Sequence, residues 1–216
     1  MSAATSMLVS SEINEPAASF PRLCQAYMLL GRVFSHHYGE KFSSETEQFM
    51  SASTLYTDAS NLARKISEEA QASQDFLDLA SALALTYSIL CTLCERYSCP
   101  HKCKALGKEA ASMQAQAMEG LKSVSLSVVT FVEQINASTQ NIHDLDRVSP
   151  IIMDAMYSAA ENFAWLVRES GDEKHQMSLD AIRNCLRKLG QRWRNAAEYV
   201  RILEAKEFSF AISSAS

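Results

Sequence analysis

At 216 residues, of which 47% are hydrophobic, the chain is long enough to bury a core without staples and too apolar for a disordered polymer. A formal net charge of −5 excludes a molecule drawn as a whole to phosphate backbones. The six glycines and four prolines fall well below the roughly 12% of an average protein, and long helices are what tolerate few of either.

Residues 1–18 are rich in Ser, Ala and Glu without sustained periodicity and read as a flexible lead-in. They lack the basic n-region of a secretory signal, and no apolar run is expected to approach the roughly 20 residues a membrane span needs, so the expected location is nuclear or cytoplasmic. A first helix is predicted from Ser19-Phe20-Pro21, with serine as cap and proline in the opening turn. Its apolar stripe of Leu23, Tyr27, Leu30, Phe34 and Tyr38 runs at steps of three and four, and Gly39 ends it. A second helix is predicted from Ser44, where Ser44-Glu45-Thr46-Glu47 fits a capping box, to about Ile66. The polar stretch from Ser67 to Gln74 reads either as a joint or as a solvated turn of continuing helix.

Asp75 to Tyr97 is apolar nearly all round, which predicts a central, buried helix ended by Pro100. A long helix from about Lys104 to Asn136 follows, although its β-branched second half, Val124 to Ile135, also admits a strand. Ser149-Pro150 opens a fifth helix that Gly171 ends. Beyond it Leu179, Ile182, Leu186, Leu189, Trp193, Ala196, Val200 and Leu203 alternate steps of three and four. That pattern predicts one long sixth helix carrying a heptad seam. The expected fold is all-α: a single bundle-like domain of about six helices over 19–208, with a flexible tail over 209–216. Leu79, Leu83, Leu90, Trp165, Leu186, Leu189 and Trp193 are its expected core.

No catalytic, cofactor-binding or metal-ligating residue is assigned from the sequence. Cys91, Cys94, Cys99, His101 and Cys103 crowd 13 residues, and zinc would take four such ligands at about 2.3 Å per thiolate. Structural zinc sites join ligand pairs from separated elements, however, and the first two cysteines sit inside an apolar helix. The cluster is therefore read as a cysteine-rich helix end without metal. His36-His37 reads as a cationic pair at a helix C-terminus, and His143-Asp144-Leu145-Asp146 as a loop feature. Arg187, Arg194 and Arg201 recur every seven residues and read as a solvated face with Glu198 and Glu204 as partners. The phosphate-binding glycine loop, the nucleophile elbow and the His-Glu-x-x-His motif are all absent from the sequence, and the chain is read as a non-enzyme.

Three segments carry a family resemblance: Val148-Ser-Pro-Ile-Ile-Met-Asp-Ala-Met-Tyr-Ser-Ala-Ala, Trp165-Leu-Val-Arg-Glu-Ser-Gly-Asp-Glu and Arg192-Trp-Arg-Asn-Ala-Ala-Glu-Tyr-Val. Together with Leu85 to Pro100 and Ala117 to Ser125, they resemble the C-terminal region of fungal zinc-cluster transcription factors. The resemblance implies a helical regulatory or partner-binding domain of a nuclear activator that controls a biosynthetic gene set, with room for a small-molecule effector. The family's Cys-x2-Cys-x6-Cys spacing is missing, so sequence-specific DNA binding is not expected of this chain, and protein partners or self-association are. The alternative readings are a helical dimerisation scaffold, or a helical enzyme or small-molecule-binding protein.

Overall fold

A computed structural model describes residues 19–39, 41–73, 75–99 and 108–215; the lead-in over 1–18 and the cluster members His101 and Cys103 lie outside them. The described residues form helices and turns with no strand, an all-α fold. Seven α-helices follow in order: α1 (Ser19–Phe34), α2 (Glu45–Ala72), α3 (Leu77–Ser98), α4 (Lys108–Ser138), α5 (Ile152–Ser170), α6 (Glu173–Leu189) and α7 (Arg194–Ala215). A π-helical turn, Ser35–Gly39, extends α1, and a 3-10 helix, Ile142–Arg147, precedes α5. The chain, read from its sequence as one domain, divides into two compact units that meet within α4, one up to Leu121 and one from Lys122.

In the first unit α3 is the central helix, packed against α1 and α2. By length and composition it could cross a membrane, which corrects the expectation that no apolar run approaches that length, but 78% of its apolar window is buried. Packing on several sides within a bundle accounts for the same composition. Helix α2 starts as expected at Ser44, whose hydroxyl accepts the Glu47 N–H at 3.1 Å. The Glu47 carboxylate returns to Ser43 rather than Ser44, accepting from its backbone N–H at 2.8 Å. The polar stretch from Ser67 is continuing helix as far as Ala72.

Helix α1 leaves much of its apolar stripe uncovered. Its buried residues are Arg22, Gln25, Ala26, Leu29 and Val33, while Tyr27 and Phe34 are exposed. The apolar stripe is therefore the outward face. The inward face is secured across to α2 by a two-pronged ion pair: Arg22 Nε donates to Glu69 Oε2 at 2.8 Å, and Nη2 to Oε1 at 2.6 Å. Arg32 pairs with Asp58 at 2.8 Å further along. Two charged contacts join the buried Ala26, Leu29 and Val33 in holding the inward face of α1.

In the second unit α5 packs against α6 and α7, and Gly171 ends α5 in the left-handed conformation at φ 64°. The residues of α4 read as helix or strand are helical, with Val124, Val128, Phe131, Val132 and Ile135 buried. The expected sixth helix is two. At Gly190 the hydrogen bonds tighten, Gln191 N–H donating to Lys188 O and Arg192 N–H to Leu189 O, and the chain restarts at Arg194. A side chain at Gly190 would stand 3.3 Å from Ala197 Cβ, so glycine permits the close return of α7. Seven of the eight seam residues are buried, Trp193 being the half-buried exception, but they line an antiparallel pair rather than one coiled-coil face. Helix α7 also continues through the stretch read as a tail. Trp165, expected in the core, is 40% exposed on the outer side of α5.

Candidate functional site

The most distinctive surface follows from the orientation of α1. Phe20, Tyr27 and Phe34 recur every seven residues and are 73%, 49% and 49% exposed. Tyr38 continues the row from the π-helical turn at 82% exposure, and a side chain at Gly31 would meet nothing within 4 Å. The row lies opposite the Arg22–Leu29–Val33 face, because residues seven apart return to nearly the same side of an α-helix. Aromatic side chains concentrated on an uncovered helix face are the usual material of a protein interface.

Beneath the C-terminal end of this row lies a buried polar cluster. His36 is 2% exposed, with Nδ1 3.0 Å from Ser51 Oγ and Nε2 2.5 Å from Tyr97 Oη. Phe42 packs on its ring at 5.0 Å and Phe49 meets Tyr97 edge-on. The imidazole is thus bonded at both nitrogens and ties α1 to α2 and α3. Burial, and then the nearby Arg96, lower its pKa. Burial, with His36 and Arg96 behind it, lowers His37 to about 4, and its shielded Nε2 has no hydrogen-bond partner among the described residues. The two histidines are therefore neutral near pH 7, not the cationic pair expected from the helix dipole; desolvation and Arg96 outweigh the dipole. Residues Ser51 and Tyr97 carried no signal in the sequence, since the contact from His36 spans 61 positions to Tyr97.

A pH dependence follows. The unfolded chain protonates His37 near pH 6.5 and the folded chain only near pH 4, so the unfolded state binds more protons between these values. The contribution to stability is complete above about pH 6.5 and is lost as pH falls toward 4. We expect the melting temperature of the native chain to fall more steeply over that window than that of His37→Asn. An imidazole titrating near 6.5 by NMR would show that burial does not control His37.

The remaining sequence candidates are dispersed. Cys91 and Cys94 are buried in α3, and desolvation raises their thiols, Cys94 to about 12. Such thiols stay protonated and behave as small apolar groups. Among the described residues no three His, Cys, Asp or Glu side chains converge as metal ligands. Asp144 accepts the Asn141 N–H at 2.8 Å, a local turn contact, and Asp146 pairs with Arg192 at 2.5 Å. The arginine row is split between α6 and α7, and each member has a carboxylate: Arg187 with Glu204 at 2.9 Å, Arg194 with Glu198 at 3.8 Å and Arg201 with Glu198 at 3.2 Å.

Between α5 and α7, Tyr157 and Tyr199 stack at 4.6 Å. Tyr199 donates to Asp154, and Lys206 bonds both Tyr157 and Glu161. Burial, then the Asp154 contact, raises Tyr199 to about 12, which suits a clamp between helices rather than a proton donor. No protein-family model, curated protein or solved structure matches this chain.

Proposed function

We propose that this chain is a regulatory, partner-binding helical domain of a transcriptional activator, of the kind its sequence resembles in fungal zinc-cluster factors. In this reading it works in the nucleus on a biosynthetic gene set. It reaches DNA through a partner or a separate module rather than through base contacts of its own. The observation that carries the partner-binding part is the exposed aromatic row on α1, from Phe20 to Tyr38. The transcriptional part rests on the resemblance of Val148 to Val200. The pairing of Arg187, Arg194 and Arg201 with carboxylates supports a chain without a free basic stripe for phosphate.

The test is to tether the chain to a heterologous DNA-binding module upstream of a reporter gene. We expect reporter output to change with the native chain and to return toward baseline with the double variant Tyr27→Ser, Phe34→Ser. Truncating interface hot spots of this type weakens partner affinity by on the order of 30-fold. Both positions face solvent, so the variant's stability should stay within about 0.5 kcal/mol per site of the native chain. A reporter that responds to neither chain would remove the transcriptional reading.

The spacing of the row favours one second reading, a dimerisation scaffold. Leu23, Tyr27, Leu30 and Phe34 repeat the three-and-four steps of a helix-pairing seam. Sedimentation equilibrium distinguishes the two. A concentration-dependent dimer that the double variant abolishes makes the row a self-association surface.

A further inference from the structure

The second unit carries a half-open pocket of about 250 Å³ between the C-terminal half of α5, the middle of α6 and the end of α7. At the roughly 30 Å³ that a water occupies in the liquid, it has room for about eight water-sized atoms. Ala164 and Val167 form an apolar wall, Phe210 an aromatic one, and Arg168, Arg183 and Glu207 bring charge to the lining.

Arg183 is the unusual member. Its side chain is only 9% exposed, more thoroughly buried than a guanidinium is left without reason. Nη2 pairs with Glu207, and Nη1 reaches Asp180 at the long distance of 3.8 Å. The Nε–H is shielded from solvent and has no acceptor among the described residues. A buried donor without a partner is costly, and more so on a charged group. The second guanidinium, Arg168, lies over the Phe210 ring, 4.7 Å from its centre. Two cations and one carboxylate therefore line the pocket, with Asp180 a second, more distant carboxylate on Arg183.

We propose that this pocket binds a small carboxylate with a flat apolar body, an aromatic monocarboxylate being the best match. The Nε–H and Nη2–H edge of a guanidinium presents two parallel donors at the spacing of the two carboxylate oxygens. Nε and Nη2 are both shielded while Glu207 is in place, so a ligand carboxylate first displaces Glu207 from Nη2 and then supplies the acceptor that Nε lacks. Its ring then lies among Phe210, Ala164 and Val167, the apolar part of the lining. Glu207 acts as the internal competitor, and its displacement loosens the end of α7 from α6. The site lies wholly within the second unit and does not depend on the transcriptional reading or on the α1 surface.

The probe is benzoate, titrated into the full chain while the arginine Nε–Hε signals are followed by 15N–1H NMR. Acetate supplies the charge without the ring, and benzyl alcohol the ring without the charge. We expect benzoate to shift one buried arginine signal saturably, and acetate and benzyl alcohol to bind at least about tenfold more weakly. The variant E207Q removes the competitor and should tighten benzoate by about tenfold, because a hydrogen bond to a charged group is given up with it. F210A should weaken benzoate without affecting acetate, and R183Q should abolish the shift. Should R183Q fail to fold, E207Q decides alone. Absence of saturation by about 10 mM benzoate in both the native chain and E207Q overturns the proposal, as does equal binding of inorganic phosphate.

Discussion

Replacing Glu69 by alanine should destabilise the first unit by about 3–5 kcal/mol, because it takes a two-pronged carboxylate away from a buried guanidinium. Arg22 is fully buried, and both oxygens of the Glu69 carboxylate are taken by its guanidinium. Gln25 Oε1 also accepts from Nη1 at 2.8 Å, a neutral contact that is weaker than the charged one. The loss is read as a lower urea midpoint at unchanged slope. The paired replacement Arg22→Met with Glu69→Leu provides the control. Removing both charges together should be neutral or even stabilising by about 1–4 kcal/mol, since an apolar pair has no desolvation to recover. If Glu69→Ala alone costs less than about 1 kcal/mol, solvent reaches the pair and the inward face of α1 is held by its other contacts.

The second large effect lies in α5, where two aromatic residues two positions apart should behave oppositely. Phe163 is 1% exposed and Trp165 is 40% exposed. Phe163→Ala opens a cavity in the second unit and should cost about 3–5 kcal/mol. Trp165→Ala, although it removes the larger side chain, should cost under about 1 kcal/mol, because solvent already meets much of the ring. Thermal melts of the two variants under one buffer give the comparison. A tryptophan truncation that proves more damaging than the phenylalanine one would mean that α5 packs through its other face.

Much of the secondary structure was legible along the chain. Ser44 and Glu47 mark the start of α2, Gly171 marks the end of α5, and the all-round apolarity of Asp75 to Tyr97 marks a central helix. These signals are local: a cap, a left-handed glycine and a composition each act within a few residues of where they stand. The candidate surface was half legible, since Leu23, Tyr27, Leu30, Phe34 and Tyr38 were recognisable as a stripe without any sign of which way it faces. Periodicity defines a face without saying what covers it.

The tertiary structure decided what distant partners decide. Glu69, 47 positions away, holds Arg22 on the inward face of α1, opposite the aromatic row. Tyr97 and Ser51 make His36 a buried neutral ring instead of a cation at a helix end. Ala197 returning against Gly190 breaks a heptad pattern that reads as continuous. A three-and-four spacing is satisfied equally by one long helix against a partner and by two shorter helices folded on each other. In this chain the seam residues are buried in the second way, so the sequence alone determined the helical period and the apolar positions, and the tertiary contacts determined which faces meet.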